Sequence, residues 1–226
     1  MRSMLEARTL MTLFITVGAM LLFAAFVDRV VEGETRAFDE TVLLAFRDRN
    51  NPSYPIGPAW LQIMFRDITP LGGYAVVMLI SLAVIGYLLV DAKRGAALWV
   101  LVSVGGGAVL SNLLKLAIER PRPELVARLV EVNTTSFPSG HATLAAVTYL
   151  TLGALLSRVE ARRRAKIYVL TVAVTLTLLI GVSRIYLGVH WPTDVLAGWC
   201  VGAAWATLCW RLALALQRSG KVESDV

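Results

Sequence analysis

The sequence predicts an all-α, polytopic membrane protein: a six-transmembrane-helix bundle with short interfacial helices in its first outer loop. Three observations carry this. Of the 226 residues, 57% are hydrophobic and 17% charged, whereas a soluble domain has about 45–50% apolar and about 25% charged residues. The apolar residues gather in six long runs, most near the ~20 residues that cross a bilayer as a helix. Those runs do not alternate, as the strands of a membrane barrel must. The same apolar content excludes a disordered chain. A fibrous protein is excluded by 17 Gly and 8 Pro that follow no period.

The first run, Thr9–Val27, is longer than the apolar core of a signal peptide, and no small-x-small cleavage site follows it. It reads as a retained helix. The segment after it contains two amphipathic stretches, Phe38–Arg47 and Ala59–Asp67. Such stretches are expected to lie in the bilayer interface, either as a structured cap or as a guide for lipid entry. The remaining runs are Leu71–Val90, Gly95–Ala117, Gly140–Leu156, Ala165–Val182 and Thr193–Leu214. Gly105, Gly106 and Gly107 mark a close helix contact in the third run. Cys200 and Cys209 share the sixth run. Helical rise separates them by roughly 13 Å, too far for the ~7 Å limit of a disulfide, so both are expected to be packing residues.

The net charge is +6, from 22 Lys and Arg against 16 Asp and Glu. In a soluble protein that would raise nucleic acid as a partner. Here the cations sit in short connections between apolar runs, so no nucleic-acid partner is expected and the charges report topology. Arg158, Arg162, Arg163, Arg164 and Lys166 crowd one short loop, which marks it as cytoplasmic. Both termini are then cytoplasmic. Asp28–Pro70, Ile118–Pro138 and Ser183–Pro192 fall on the outer face.

Those outer segments carry the chemistry. The chain has two histidines, His141 and His190, each at the outer end of a predicted helix. In Phe137-Pro138-Ser139-Gly140-His141, a helix start offers free backbone N–H groups and the positive dipole end to an anion. Ser139 can cap the helix or bond an oxyanion. Gly140 lets an anion approach the backbone, and His141 can donate a proton to a leaving oxygen. Taken alone, an ordinary serine cap with an interfacial histidine accounts for the stretch equally well.

In Ser183-Arg184 through His190-Trp191-Pro192-Thr193-Asp194, Pro192 suits the first turn of the sixth helix. Asp194 then lies about one turn beyond His190, within reach of one ring nitrogen. A carboxylate there fixes the tautomer and leaves the other nitrogen free to attack. An acid favoured by the helix dipole beside an incidental histidine is the plainer alternative. Lys115 ends the third helix, and Arg122 follows between Pro121 and Pro123. Lys115 by itself reads as a snorkelling cation. Lys115, Arg122 and Arg184 together would repel one another without an anion between them, and arginine forks match phosphate oxygens.

Lys115 with Arg122-Pro123, then Pro138-Ser139-Gly140-His141, then Ser183-Arg184 with His190 and Asp194 resemble the three-part signature of the type 2 phosphatidic acid phosphatase (PAP2) superfamily. The blocks occur in order and without a substitution. The resemblance implies a single membrane-embedded phosphatase domain over residues 1–226, with its motifs within residues 115–194. It implies a metal-independent lipid phosphatase with no cofactor. His190 is the implied nucleophile, forming a phosphohistidine. Asp194 is its implied orienter, and His141 the implied general acid and later base. Lys115, Arg122, Ser139, Gly140 and Arg184 are implied phosphate ligands.

The substrate class so implied is a membrane lipid phosphate or diphosphate: phosphatidylglycerophosphate, phosphatidate or undecaprenyl diphosphate. The setting is a bacterial inner (plasma) membrane, with the site on the outer face. A lipid phosphotransferase using the same phosphohistidine is the alternative. A lipid transporter ranks below both, because the polar residues gather at one face instead of the bilayer midplane. A metal site made of His141, His190 and Asp194 is disfavoured by the three neighbouring cations.

Overall fold

The computed structural model describes residues 23–218. Among them every regular element is helical and no strand occurs. Helix α1 is described over 23–31. It is followed by α2 (Arg36–Ala45), α3 (Ala59–Ile68), a 3-10 turn (Thr69–Gly72), α4 (Tyr74–Val90), α5 (Arg94–Ala117), α6 (Gly140–Val159), α7 (Arg163–Tyr186) and α8 (Pro192–Arg218).

Four of these, α5 to α8, are long and apolar enough to cross a membrane. A fifth span results if α3, the 3-10 turn and α4 are taken as one broken helix, bent by 51°. The described residues thus hold four to five candidate spans, against six expected. The expected first span, Thr9–Val27, lies outside the described residues except for its last five positions. The expected second span, Leu71–Val90, begins later than its hydropathy suggests. Pro70 falls in the 3-10 turn and Gly73 takes an extended conformation, with φ −76° and ψ 152°. Helical hydrogen bonding therefore restarts only at Tyr74.

Helix α6 is the centre of the bundle. It touches α4, α5, α7 and α8 and is the most buried of the spanning helices. Small residues make this possible. A Cβ on Gly202 of α8 would come within 2.6 Å of the Thr143 carbonyl oxygen and of Ala146, so the α6 and α8 backbones meet closely. Of the glycine triplet in α5, Gly107 receives Val147, and Trp205 of α8 closes on both Gly106 and Gly107. Gly105 faces open space. The indole N–H of Trp205 donates to the Ser103 carbonyl at 2.8 Å and ties α8 to α5.

The outward faces remain apolar. Leu79, Val90, Leu113 and Leu116 are more than half exposed. Apolar side chains spread over long helices in this way need lipid as their solvent, and the chain is an integral membrane protein. The two cysteines are free: Cys209 is buried in the core, as expected of a packing residue, whereas Cys200 is exposed on the outside of α8.

The ends of the helices position the site. The C-terminal ends of α5 and α7 and the N-terminal ends of α6 and α8 come together at one end of the bundle. The non-helical segment after α5 and the short helices α2 and α3 pack over them, α2 against α8 and α3 against α7.

Candidate active site

Local capping chemistry fixes each functional side chain. Helix α7 closes in a Schellman motif: the Gly188 N–H donates to Ile185 and the Val189 N–H to Arg184. Gly188 has φ +72°, and a Cβ there would fall 2.6 Å from Nη2 of Arg47 and 2.8 Å from the Ala127 carbonyl. Glycine therefore satisfies both the turn and the close contact. The reversed chain delivers His190 just before α8.

Pro192 opens α8, and Asp194 sits in its first turn. Its Oδ2 accepts the Trp191 backbone N–H at 2.9 Å, the reciprocal half of a capping box. Ser139 caps α6, its Oγ accepting from the Ala142 N–H at 3.4 Å. The Ser139 N–H itself donates to the Asp194 carbonyl at 3.0 Å, joining the starts of α6 and α8.

His190 and Asp194 are buried side by side. Nδ1 of His190 faces Oδ2 of Asp194 at 3.4 Å, a contact longer than an ordinary hydrogen bond. Nε2 of His190 faces Nη1 of Arg122 at 3.1 Å. A guanidinium only donates, so Nε2 carries the lone pair and Nδ1 the proton. Burial pushes the His190 imidazole down to about 3, against the upward pull of Asp194. The ring is neutral in the folded protein.

Arg122 is held by carbonyls on both sides of the cleft. Its Nε donates to Thr134 at 2.7 Å, its Nη1 to Val189 at 2.5 Å and its Nη2 to Thr135 at 3.3 Å. Burial draws its guanidinium below the usual arginine range, and Asp194 opposes that. Lys115 donates to the Thr135 carbonyl at 2.9 Å, and its stem passes over Gly140, whose Cβ would lie 3.5 Å from Cε. Arg184 is buried, with Nη1 donating to Thr69 Oγ1 at 2.9 Å and Nε carrying no hydrogen bond. Lys115, Arg122 and Arg184 lie within electrostatic reach of one another, and His141 within reach of all three and of His190. The wall beside His141 is backbone, with a Gly73 Cβ position 3.6 Å from its Nε2.

All eight residues singled out in the sequence (Lys115, Arg122, Ser139, Gly140, His141, Arg184, His190 and Asp194) therefore meet at one end of the bundle. The sequence reading gave no role to Arg120, Asp39, Ser136 or Thr193. Oδ1 of Asp194 accepts from Nη1 of Arg120 at 2.6 Å, while Nη2 of Arg120 reaches Oδ2 of Asp39 at 2.6 Å. The Ser136 hydroxyl donates a short hydrogen bond to Oδ2 of Asp194. One available signal lay in Arg120-Pro121-Arg122-Pro123. Both arginines precede a proline, which favours extended backbone, and positions two apart on an extended chain share a side.

The model of the PAP2 superfamily matches residues 96–218. Phosphatidylglycerophosphatase B of Bacillus subtilis is 34% identical over 144 residues, covering 63% of this chain and 70% of that one. Decaprenylphosphoryl-5-phosphoribose phosphatase of Mycobacterium tuberculosis is 31% identical over 143 residues, 61% of this chain and 72% of its own. Among solved structures, the transmembrane PAP2-type phosphatidylglycerolphosphate phosphatase from Bacillus subtilis superposes with a TM-score of 0.79 at 29% identity, covering 89% of this chain and 97% of that one. The chain belongs to the PAP2 superfamily, to its integral-membrane lipid phosphatase branch, and is a phosphoric monoester hydrolase.

Proposed function

We propose that the chain hydrolyses a lipid phosphate or diphosphate without a metal ion, through a phosphohistidine on His190. Lys115, Arg122, Arg184, the Ser139 hydroxyl and the free N–H groups at Gly140 and the first turn of α6 hold the phosphate oxygens. The Nε2 lone pair of His190 attacks phosphorus as the bond to the leaving oxygen breaks, and His141 gives that oxygen its proton. Asp194 holds the Nδ1 proton and stabilises the imidazolium that forms. His141, now a base, takes a proton from water. The water oxygen attacks phosphorus, the P–N bond breaks and inorganic phosphate leaves. The spread of charge over the equatorial oxygens suits a cradle of three cations.

The observation that supports this best is Nη1 of Arg122 beside Nε2 of His190. A phosphate ligand and a nucleophilic lone pair then converge on one point. The relatives' names span a glycerophospholipid and polyprenyl phosphates, which supports a substrate of the phosphatidylglycerophosphate, phosphatidate or undecaprenyl-diphosphate class. The described residues form one domain in which α4, entered through the 3-10 turn, is a span beside α5 to α8; the expected first span, Thr9–Val27, lies largely outside them. Helices α2 and α3 lie in the interface. The arginine-rich connection between α6 and α7 faces the cytoplasm with both termini, and the site opens on the outer face of a bacterial plasma membrane.

The test is phosphate release by purified protein from these three lipids, with EDTA present and His190→Ala as the blank. Release from at least one lipid, unaffected by EDTA and absent in the blank, is expected. Full release by a correctly inserted His190→Ala protein would overturn the mechanism. Transfer of the phosphoryl group to an added alcohol without phosphate release would favour a phosphotransferase.

A further inference from the structure

Asp39 lies in α2, about 150 residues from the histidine it serves, and is fully buried. Apart from Thr35 at the start of its own helix, whose Oγ1 donates to Oδ2 at 3.2 Å, its side-chain partners lead to the site. Its Oδ1 accepts the Thr193 backbone N–H at 2.9 Å, and its Oδ2 accepts the Thr193 hydroxyl at 2.7 Å and Nη2 of Arg120 at 2.6 Å. Arg120 in turn donates through Nη1 to Thr193 Oγ1 at 2.8 Å and to Oδ1 of Asp194 at 2.6 Å. Its guanidinium stacks 5.6 Å from the centre of the Trp191 ring, so the fork cannot swing freely. With Oδ1 of Asp194 taken by Arg120, Oδ2 is left facing His190, fixed from its other sides by the Trp191 N–H and the Ser136 hydroxyl.

A buried carboxylate–arginine–carboxylate chain is a poor choice for stability alone, since apolar packing of equal volume often serves as well or better. It is a good choice for setting the plane of a carboxylate. We propose that Asp39 and Arg120 are positioning residues for turnover: Arg120, aligned by Asp39, clamps Oδ1 of Asp194 and so sets the direction from which Oδ2 holds the Nδ1 proton of His190. This rests on the reading of His190 as nucleophile. It makes α2 part of the working unit, although α2 lies outside the matched residues 96–218.

The test uses the full chain with Asp39→Asn and, separately, Arg120→Lys. The lysine keeps the charge but cannot bridge two carboxylates. Four quantities are measured: kcat, KM, inhibition by inorganic phosphate, and the imidazole 15N spectrum of histidine-labelled protein. The chain's two histidines make that spectrum assignable with one His141→Gln control. In both variants kcat is expected to fall roughly 10- to 100-fold, as for outer partners of other oriented histidines. KM and phosphate inhibition stay within about threefold, because no phosphate ligand has changed. The His190 signals move from the Nδ1–H tautomer toward a mixture.

A kcat within about threefold of the parent in both variants overturns the proposal. So does a fall in kcat matched by an equal loss of phosphate inhibition with the His190 spectrum unchanged, the mark of a scaffold and not an aligned dyad. Should Arg120→Lys fail to assemble, Asp39→Asn carries the test, since it keeps the side-chain shape. A fully active His190→Ala protein, measured alongside, would strike the underlying reading and is distinguishable from either result.

Discussion

Arg122 points Nη1 at Nε2 of His190 from 3.1 Å while the same nitrogen donates to the Val189 carbonyl at 2.5 Å. One guanidinium therefore selects the tautomer of the histidine, and in the proposed mechanism its Nη1 turns from Nε2 to a phosphate oxygen when substrate binds. Arg122→Lys keeps the charge but loses the fork. Its kcat/KM is expected to drop about 100-fold, near the cost of removing one well-placed transition-state donor. Vanadate inhibition, a readout of the same cradle, should weaken in parallel. Unchanged vanadate inhibition in the lysine variant would count against the assignment.

His141 has a different signature. A general acid matters most when the leaving oxygen is basic. His141→Ala should lose about 10²- to 10⁴-fold on a lipid alkyl phosphate and much less on an aryl phosphate with a good leaving group. The comparison needs only the two rates in one preparation. Equal losses on both substrates would remove His141 from that role.

The low affinity of His190 for protons has a consequence for stability. Its folded value is about 3, against about 6.5 in an unfolded chain. Between those values the unfolded state binds a proton that the folded state does not. The contribution is therefore complete above about pH 6.5 and is lost as the pH falls toward the folded value. Thermal unfolding in detergent should show Tm declining below about pH 6.5, with a shallower decline in His190→Gln. Identical slopes in the two proteins would show that the imidazole is not the source.

Gly188→Ala tests the turn that presents His190. The position has φ +72°, and the added methyl meets Arg47 and the Ala127 carbonyl. A destabilisation of about 1–3 kcal/mol is expected from the backbone strain, read as a lower Tm together with a reduced kcat. A variant with parental Tm and kcat would mean that the loop accommodates a side chain there.

The spans and the motif residues were legible in the sequence for separate reasons. Runs such as Gly95–Ala117 need lipid or a core whatever their neighbours are, so α5 follows from composition. The meeting of Lys115, His141, Arg184 and Asp194 follows from each lying at a helix end, because antiparallel spans return their ends to the same level. The break at Gly73 was not legible, since Leu71–Val90 is apolar on both sides of it. Nor was the Asp39–Arg120 clamp. Asp39 falls in the amphipathic stretch Phe38–Arg47, where a carboxylate belongs to the polar face, and its burial depends on α2 packing against α8, which no local pattern encodes.

His190 lies in a link of five residues, 187–191, between two spanning helices. The Schellman turn closes one end of that link and the capping box of α8 the other, so it has no slack. A helix whose apolar length exceeds the hydrocarbon thickness tilts to fit. Any unequal tilt of α7 and α8 is passed straight to the imidazole. Reconstituted into short-chain and long-chain bilayers, the enzyme would then turn over at different speeds on one and the same substrate, which makes acyl-chain length a mechanical control on its chemistry.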